Sequence, residues 1–161
     1  MKVICVSGVP GTGKTTLSRK LAAKLDYFYL DVNRFISEHK ISSGYDKKRK
    51  TEIIDIVKLN KALIKEIKNN KKMKGIIIDS HLSHYLPRKY VNFCVITKCA
   101  IKELNKRLKK KCFGKNKIKE NLQAEIFDVC YNEAIGKKHK IIVADTTKDF
   151  NMFDLSKKLS G

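Results

Sequence analysis

Short, unbroken apolar runs alternate along this chain with longer segments in which apolar residues recur every three or four positions. Val3-Ile4-Cys5-Val6 and Ile76-Ile77-Ile78 have no polar partner positions, so they predict strands buried on both faces. Strands are expected at Lys2–Ser7, Tyr27–Leu30, Gly75–Asp79, Val91–Thr97 and Lys140–Asp145. Helical spacing predicts Lys14–Leu25, Val32–His39 with Asp31 as its N-cap, Asp55–Asn69, Ile101–Lys111, a long Ile118–Ile135 and Phe150–Leu159. Ser42–Asp46 has turn chemistry, Asp46–Lys50 is polar and expected to be mobile, and Cys112–Lys117 reads as a basic turn. Strands alternating with helices place the chain in the α/β class, with a five-stranded parallel sheet covered on both faces.

At 161 residues, one domain with a real core is expected. No run approaches the roughly 18 apolar residues of a membrane helix, and Met1-Lys2 leads directly into the first strand. A cytoplasmic protein without membrane association is the expectation. Five scattered cysteines without a C-x-x-C pair indicate neither a disulfide framework nor a zinc site, and Cys5 and Cys94 fit small core positions.

The segment Gly8-Val9-Pro10-Gly11-Thr12-Gly13-Lys14-Thr15-Thr16 lies between the first strand and the first helix, which is the context a phosphate-binding loop requires. Glycines let successive N–H groups turn inward around phosphate oxygens, and the helix beginning at Lys14 adds its positive end. Lys14 is expected to reach the β- and γ-phosphates of ATP, with the Thr15 hydroxyl on Mg²⁺. Asp79 closes an apolar strand and fits the carboxylate that holds Mg²⁺ in such folds; strand-terminal aspartates also cap helices. His81, two residues on, could polarise a water or a substrate hydroxyl, or simply orient Asp79, while His84 reads as a surface residue. Arg107 and Lys111 end a helix before a flexible turn, where they could close over transferring phosphate or only complement the helix dipole. Asp145-Thr146-Thr147 is the expected adenine neighbourhood on topological grounds.

The formal charge is +20, and 31 of the 36 basic residues are lysine. An excess of this size suits a polyanionic partner such as RNA, but lysine-rich composition also occurs on the solvated faces of heat-adapted proteins.

With these residues in view, the chain resembles the adenylate kinase isoenzyme 6 family, whose archaeal members are adenylate-kinase-like ATPases of small-ribosomal-subunit assembly. The resemblance runs from about Val3 to Thr147 and is carried by Gly8–Thr16, Ser43-Gly44-Tyr45-Asp46, Asp79-Ser80-His81-Leu82-Ser83-His84 and the Glu120-Asn121-Leu122-Gln123-Ala124-Glu125-Ile126-Phe127 segment. It implies a P-loop nucleoside-monophosphate-kinase fold in three layers, with a monophosphate-binding segment near residues 30–53 and a short lid near 110–120. Also implied are ATP and Mg²⁺ as cofactors, AMP as acceptor, ATP hydrolysis, and association with a platform protein of the small ribosomal subunit, possibly with rRNA. Gly11, Gly13, Lys14, Thr15 and Thr16 match the ATP loop of that family, and Asp79 with His81 match its metal-site and catalytic motif. One departure stands out: the lid pattern Arg-Gly-Tyr is replaced by Lys111-Cys112-Phe113, and lysine lacks arginine's planar two-pronged fork. On the acceptor side, Arg34 and Arg88 are the arginines expected near the phosphate. The alternatives are a nucleotide-switched RNA-protein assembly factor and a small-metabolite kinase on the same fold.

Overall fold

The first strand sorts its residues by parity. In the computed structural model, which describes residues 1–160, β1 (Lys2–Ser7) points Val3 and Cys5 into one apolar cluster and Ile4 and Val6 into another. β5 (Gly75–Asp79) and β6 (Phe93–Lys98) do the same, with Ile76, Ile78, Cys94 and Ile96 on the first side and Ile77, Phe93 and Val95 on the second. Burial on both faces is why these runs read as continuously apolar. The sheet order is β2-β5-β1-β6-β7, every pair parallel, with β2 at Phe28–Asp31 and β7 at Ile141–Asp145. This is the three-layer α/β arrangement and the five-stranded sheet expected from the pattern.

Helix α1 (Lys14–Leu25) and α7 (Met152–Ser160) cover one face through Leu17, Leu21, Leu155 and Leu159. Helix α2 (Val32–Glu38) and α3 (Ile56–Asn69) cover the other through Phe35, Ile36, Leu59, Leu63 and Ile67. Asp31 caps α2 by accepting the N–H groups of Asn33 and Arg34, and Asp55 caps α3 by accepting those of Val57 and Lys58.

Three expectations are corrected. Ser42–Asp46 is not a plain turn but strand β3, paired antiparallel with β4 (Thr51–Ile54), and the Asp46–Lys50 stretch is the tip of that hairpin. The Asp46 carboxylate accepts the N–H groups of Lys48 and Arg49 at 2.9 and 3.0 Å, which gives the polar tip a defined shape.

Likewise, the long helix expected at Ile118–Ile135 is two helices, α5 (Lys115–Ile126) and α6 (Val129–Gly136), broken at Asp128 with φ 52°. The break has a tertiary cause. Lys98, at the end of β6, pairs with both Glu125 at 2.8 Å and Asp128 at 2.6 Å, and draws the chain out of its helical path. Ile126 and Val129, apolar residues of the expected single helix, are consequently exposed.

Finally, His84 is not at the surface but 1% exposed, within the short 3-10 turn Ser83–Tyr85.

Candidate active site

The loop after β1 takes its shape from two glycines. Gly8, at φ 144°, lies so close to β6 that a Cβ there would sit 2.3 Å from the Thr97 hydroxyl and 2.8 Å from the Thr97 carbonyl oxygen. Gly13, at φ 83°, starts α1 with no side-chain cap among the described residues, which leaves the first N–H groups of the helix free to form an anion cradle. The buried Thr12 hydroxyl donates to the Val9 carbonyl at 2.7 Å and lies 2.6 Å from the Thr97 hydroxyl, locking the loop to the sheet.

Around this loop opens a cleft of about 1390 Å³ at the C-terminal ends of the strands. It is lined by Gly11, Gly13, Lys14, Thr15, Thr16, Asp79, His81, Arg107 and Lys111, so the residues expected on the phosphate-donor side reach one cavity. Eight cations line it against four carboxylates, an excess suited to a polyphosphate.

Lys14 lies against the loop with Nζ donating to the Val9 carbonyl at 3.1 Å. Burial brings its ammonium down to about 8, opposed in part by Asp79. Asp79 is 5% exposed; its Oδ2 accepts the Tyr29 hydroxyl at 2.8 Å, while Oδ1 has no hydrogen-bond partner among the described residues. Burial first, then the bond to Asp79, pushes the Tyr29 phenol up to about 12, so it stays a donor. No cluster of three or more His, Cys, Asp or Glu suited to a metal exists among the described residues. One carboxylate and the Thr15 hydroxyl do suit Mg²⁺, which takes few protein ligands and fills its sphere with phosphate oxygens and water.

His81 opens onto the cleft. Desolvation by the surrounding walls, and then the charge of Lys14, hold its imidazole down to about 4, so it stands neutral at physiological pH. Arg107 is committed to structure on two sides: Nε donates to Glu103 at 3.1 Å and Nη2 to the Thr146 carbonyl at 2.7 Å. It therefore joins α4 (Ile101–Lys110) to the segment after β7, beside Gly13. The Thr146 hydroxyl also bonds to the Thr12 carbonyl, which places the expected adenine neighbourhood next to the loop. The segment expected as a lid is a short turn into α5, held down where Val9, Leu104 and Leu108 pack with Phe113 and Ile118. Phe113, which departs from the family pattern, carries Lys117 over its ring at 4.3 Å.

Several cleft residues were not apparent in the sequence. Arg49 comes from the hairpin tip, Lys117 and Glu120 from α5, and Glu133 from α6. Arg34 and Arg88, expected near the acceptor phosphate, do not line the cleft. Arg34 is largely exposed and pairs with Glu38 at 2.6 Å, and Arg88 lines a separate cavity with Met1 and Tyr90.

Behind Asp79 lies a chain of contacts, Ser7 to His84 at 2.7 Å and His84 to Glu133 at 2.8 Å, with Tyr85 donating to the same carboxylate at 2.8 Å. Serine, histidine and glutamate in this order resemble a hydrolytic triad. Ser7 is fully buried in the sheet, however, where no substrate could reach its hydroxyl, so the chain fastens α6 to the turn after β5. Glu125, part of the motif quoted for the family, is likewise a buried anchor for Lys98 rather than a cleft residue.

A family described as an AAA domain matches residues 4–128. Among curated proteins, the chain is 37% identical over 144 residues to a Methanocaldococcus jannaschii protein named "Putative adenylate kinase", covering 89% of this chain and 76% of that one. It is 34% identical over 146 residues to the Thermococcus kodakarensis protein of the same name, covering 90% and 76%. The adenylate kinase isoenzyme 6 homolog of Caenorhabditis elegans is 30% identical over 131 residues, covering 81% and 71%. Among solved structures, deoxyadenosine kinase from M. mycoides with bound dATP superposes with a TM-score of 0.64 at 17% identity, covering 100% of both chains. Shikimate kinase from Acinetobacter baumannii in complex with shikimate gives 0.61 at 17% identity, covering 99% and 91%. At those identities the two structures speak for the fold alone.

Proposed function

The chain belongs to the adenylate-kinase-like nucleotide kinases that include these archaeal proteins and the isoenzyme 6 homolog, and we propose that it transfers the γ-phosphoryl group of ATP to AMP. The observation that carries this reading is the meeting of Lys14, Asp79 and His81 in one cationic cleft with two sides. Arg107, Thr146 and Thr147 line one side; Asn33, Arg49 and Thr51 of the segment expected to bind monophosphate line the other.

In this reading the loop N–H groups and Lys14 hold the donor phosphates, and the Lys14 charge offsets negative charge developing on the transferred group. The Thr15 hydroxyl and Asp79 would hold Mg²⁺, which would supply positive charge to offset that of the phosphates. Tyr29 keeps the Asp79 carboxylate in place. Neutral His81 accepts a hydrogen bond from an attacking water, which supports ATP hydrolysis as a side activity. Lys111 takes the lid position, where it supplies charge but no bidentate fork. Arg107 acts from the donor side, through the guanidinium nitrogen nearest Gly13.

A coupled assay with Mg·ATP and AMP tests the transfer. ADP should form at twice the rate of AMP loss; ADP no faster than from ATP alone would leave only an ATPase.

The charge of +20 favours a second role, an assembly factor that works with a small-subunit platform protein during rRNA maturation and uses nucleotide as its switch. Titrating ribosomal RNA at two salt concentrations tests it, because phosphate contacts make affinity fall steeply with salt. Salt-insensitive or absent binding would return the lysines to solvated composition. Among the described residues, no helix is long and apolar enough to cross a membrane.

A further inference from the structure

Two arginines line the cleft. Arg107 is bound to Glu103 and to the Thr146 carbonyl, which leaves Arg49 as the one whose side chain makes no hydrogen bond to another described residue. Its place is set by its own turn. The Asp46 carboxylate holds the N–H groups of Lys48 and Arg49, and Lys50, at φ 50°, turns the chain back into β4. The guanidinium then faces α5 across the cleft, with Nε 3.6 Å from Glu120 Oε1 and Nη1 3.9 Å from Asp46 Oδ2.

Those distances matter. A charge-assisted hydrogen bond from arginine to carboxylate runs at about 2.7–2.9 Å, so both contacts are loose ion pairs. The Arg49 and Glu120 side chains are 64% and 55% exposed, where such a pair contributes little. A phosphate monoester carries more charge than a carboxylate and matches the planar fork with two parallel bonds. In competition for one guanidinium, the phosphate wins.

We propose that Arg49 binds the phosphate of the acceptor, and that Glu120 holds the guanidinium over the cleft until the acceptor displaces it. The inference deepens the kinase reading and rests on its claim that the acceptor is a nucleoside monophosphate. It makes Arg49 the specificity-determining residue for a phosphorylated acceptor, a role the exposed Arg34 and the distant Arg88 do not fill. It also gives Glu120 a definite effect, since an anion that competes with the acceptor weakens acceptor binding.

The test is calorimetric titration of AMP and of adenosine into the full chain with Mg²⁺ and a non-hydrolysable ATP analogue, for the unaltered protein, R49A, R49K and E120Q. Thermal melts check that each variant folds, which the exposed hairpin tip should permit. The unaltered protein should bind AMP more tightly than adenosine. R49A should weaken AMP by about tenfold or more and leave adenosine and the ATP analogue within about twofold. R49K should fall between, and E120Q should tighten AMP severalfold.

An R49A protein that binds AMP within twofold of the unaltered chain overturns the proposal, as does failure of the unaltered chain to distinguish AMP from adenosine. The coupled assay separates this from the kinase reading. Turnover of AMP with R49A unchanged in KM leaves the kinase and removes the Arg49 site. AMP held through Arg49 without ADP formation leaves the site and removes the kinase.

Discussion

Lys98 and Glu125 meet at 2.8 Å where β6 ends, and the glutamate side chain, 3% exposed, also accepts the Cys99 N–H at 3.0 Å. One lysine thereby fastens both α5 and α6 at the wall of the cleft, since Asp128 pairs with it from the α5–α6 junction. Removing the cation leaves a buried carboxylate with a single N–H donor. Lys98→Met should lower the unfolding free energy by about 3 kcal/mol in urea titrations. A loss under about 1 kcal/mol would mean that the Cys99 N–H suffices to hold Glu125.

Stability should fall with acid. Burial lowers the imidazoles of both His84 and His139, against the raising effects of Glu133 on the first and of the His84 carbonyl on the second; Lys137 and Arg88 push the same way as burial. An unfolded histidine takes its proton near pH 6.5, so below that the unfolded chain binds more protons than the folded one. The stabilisation is complete above about pH 6.5 and is lost as pH falls toward the lowered folded values. Melting temperatures measured from pH 7.5 to 5 should drop, and His84→Asn should flatten the curve while lowering its plateau. A profile unchanged in the variant would take His84 out of the account.

Gly8→Ala should be close to intolerable. The added methyl meets both the hydroxyl and the carbonyl of Thr97, at a φ that L residues rarely adopt. A loss above about 3 kcal/mol is expected. In G8A/T97A, recovery should be partial, because the carbonyl oxygen remains 2.8 Å from the new carbon. Full recovery in chemical denaturation would show that the hydroxyl was the whole obstacle.

Lys14→Met should cut ATP turnover by about a hundredfold or more while leaving the melting temperature no lower. The stability half follows from burial: an ammonium brought down to about 8 by desolvation is a strained cation, and an apolar side chain of similar length relieves it. A large fall in melting temperature would instead assign Lys14 a structural role through Val9.

Most of the sheet was legible because its strands are buried on both faces, as Ile76-Ile77-Ile78 illustrates, and the phosphate loop because its glycines and lysine have one spacing. The hairpin was not. Ser42, Ser43 and Gly44 look like a loop because both faces of β3 meet water, so apolar patterning had nothing to mark. The Asp128 break was invisible for a different reason: its cause, Lys98, lies 30 positions away and acts only once β6 is formed. His84 looked like a surface histidine because its partners Ser7 and Glu133 are 77 and 49 residues distant. Arg49 disappeared into a polar run, and only the pairing of β3 with β4 carries it over the cleft.

That hairpin makes the two substrates unequal. In the proposed reading the donor phosphates enter a cradle fastened to the sheet through Thr12 and Thr97, both inaccessible to water. The wall proposed for the acceptor is two exposed strands outside the sheet, and a lone pair of strands is barely stable in water. Its amides should exchange with solvent long before those of β1 or β5. If the acceptor binds there, its affinity contains the work of ordering this wall, and a change that stiffens the hairpin should raise that affinity without touching a ligand atom.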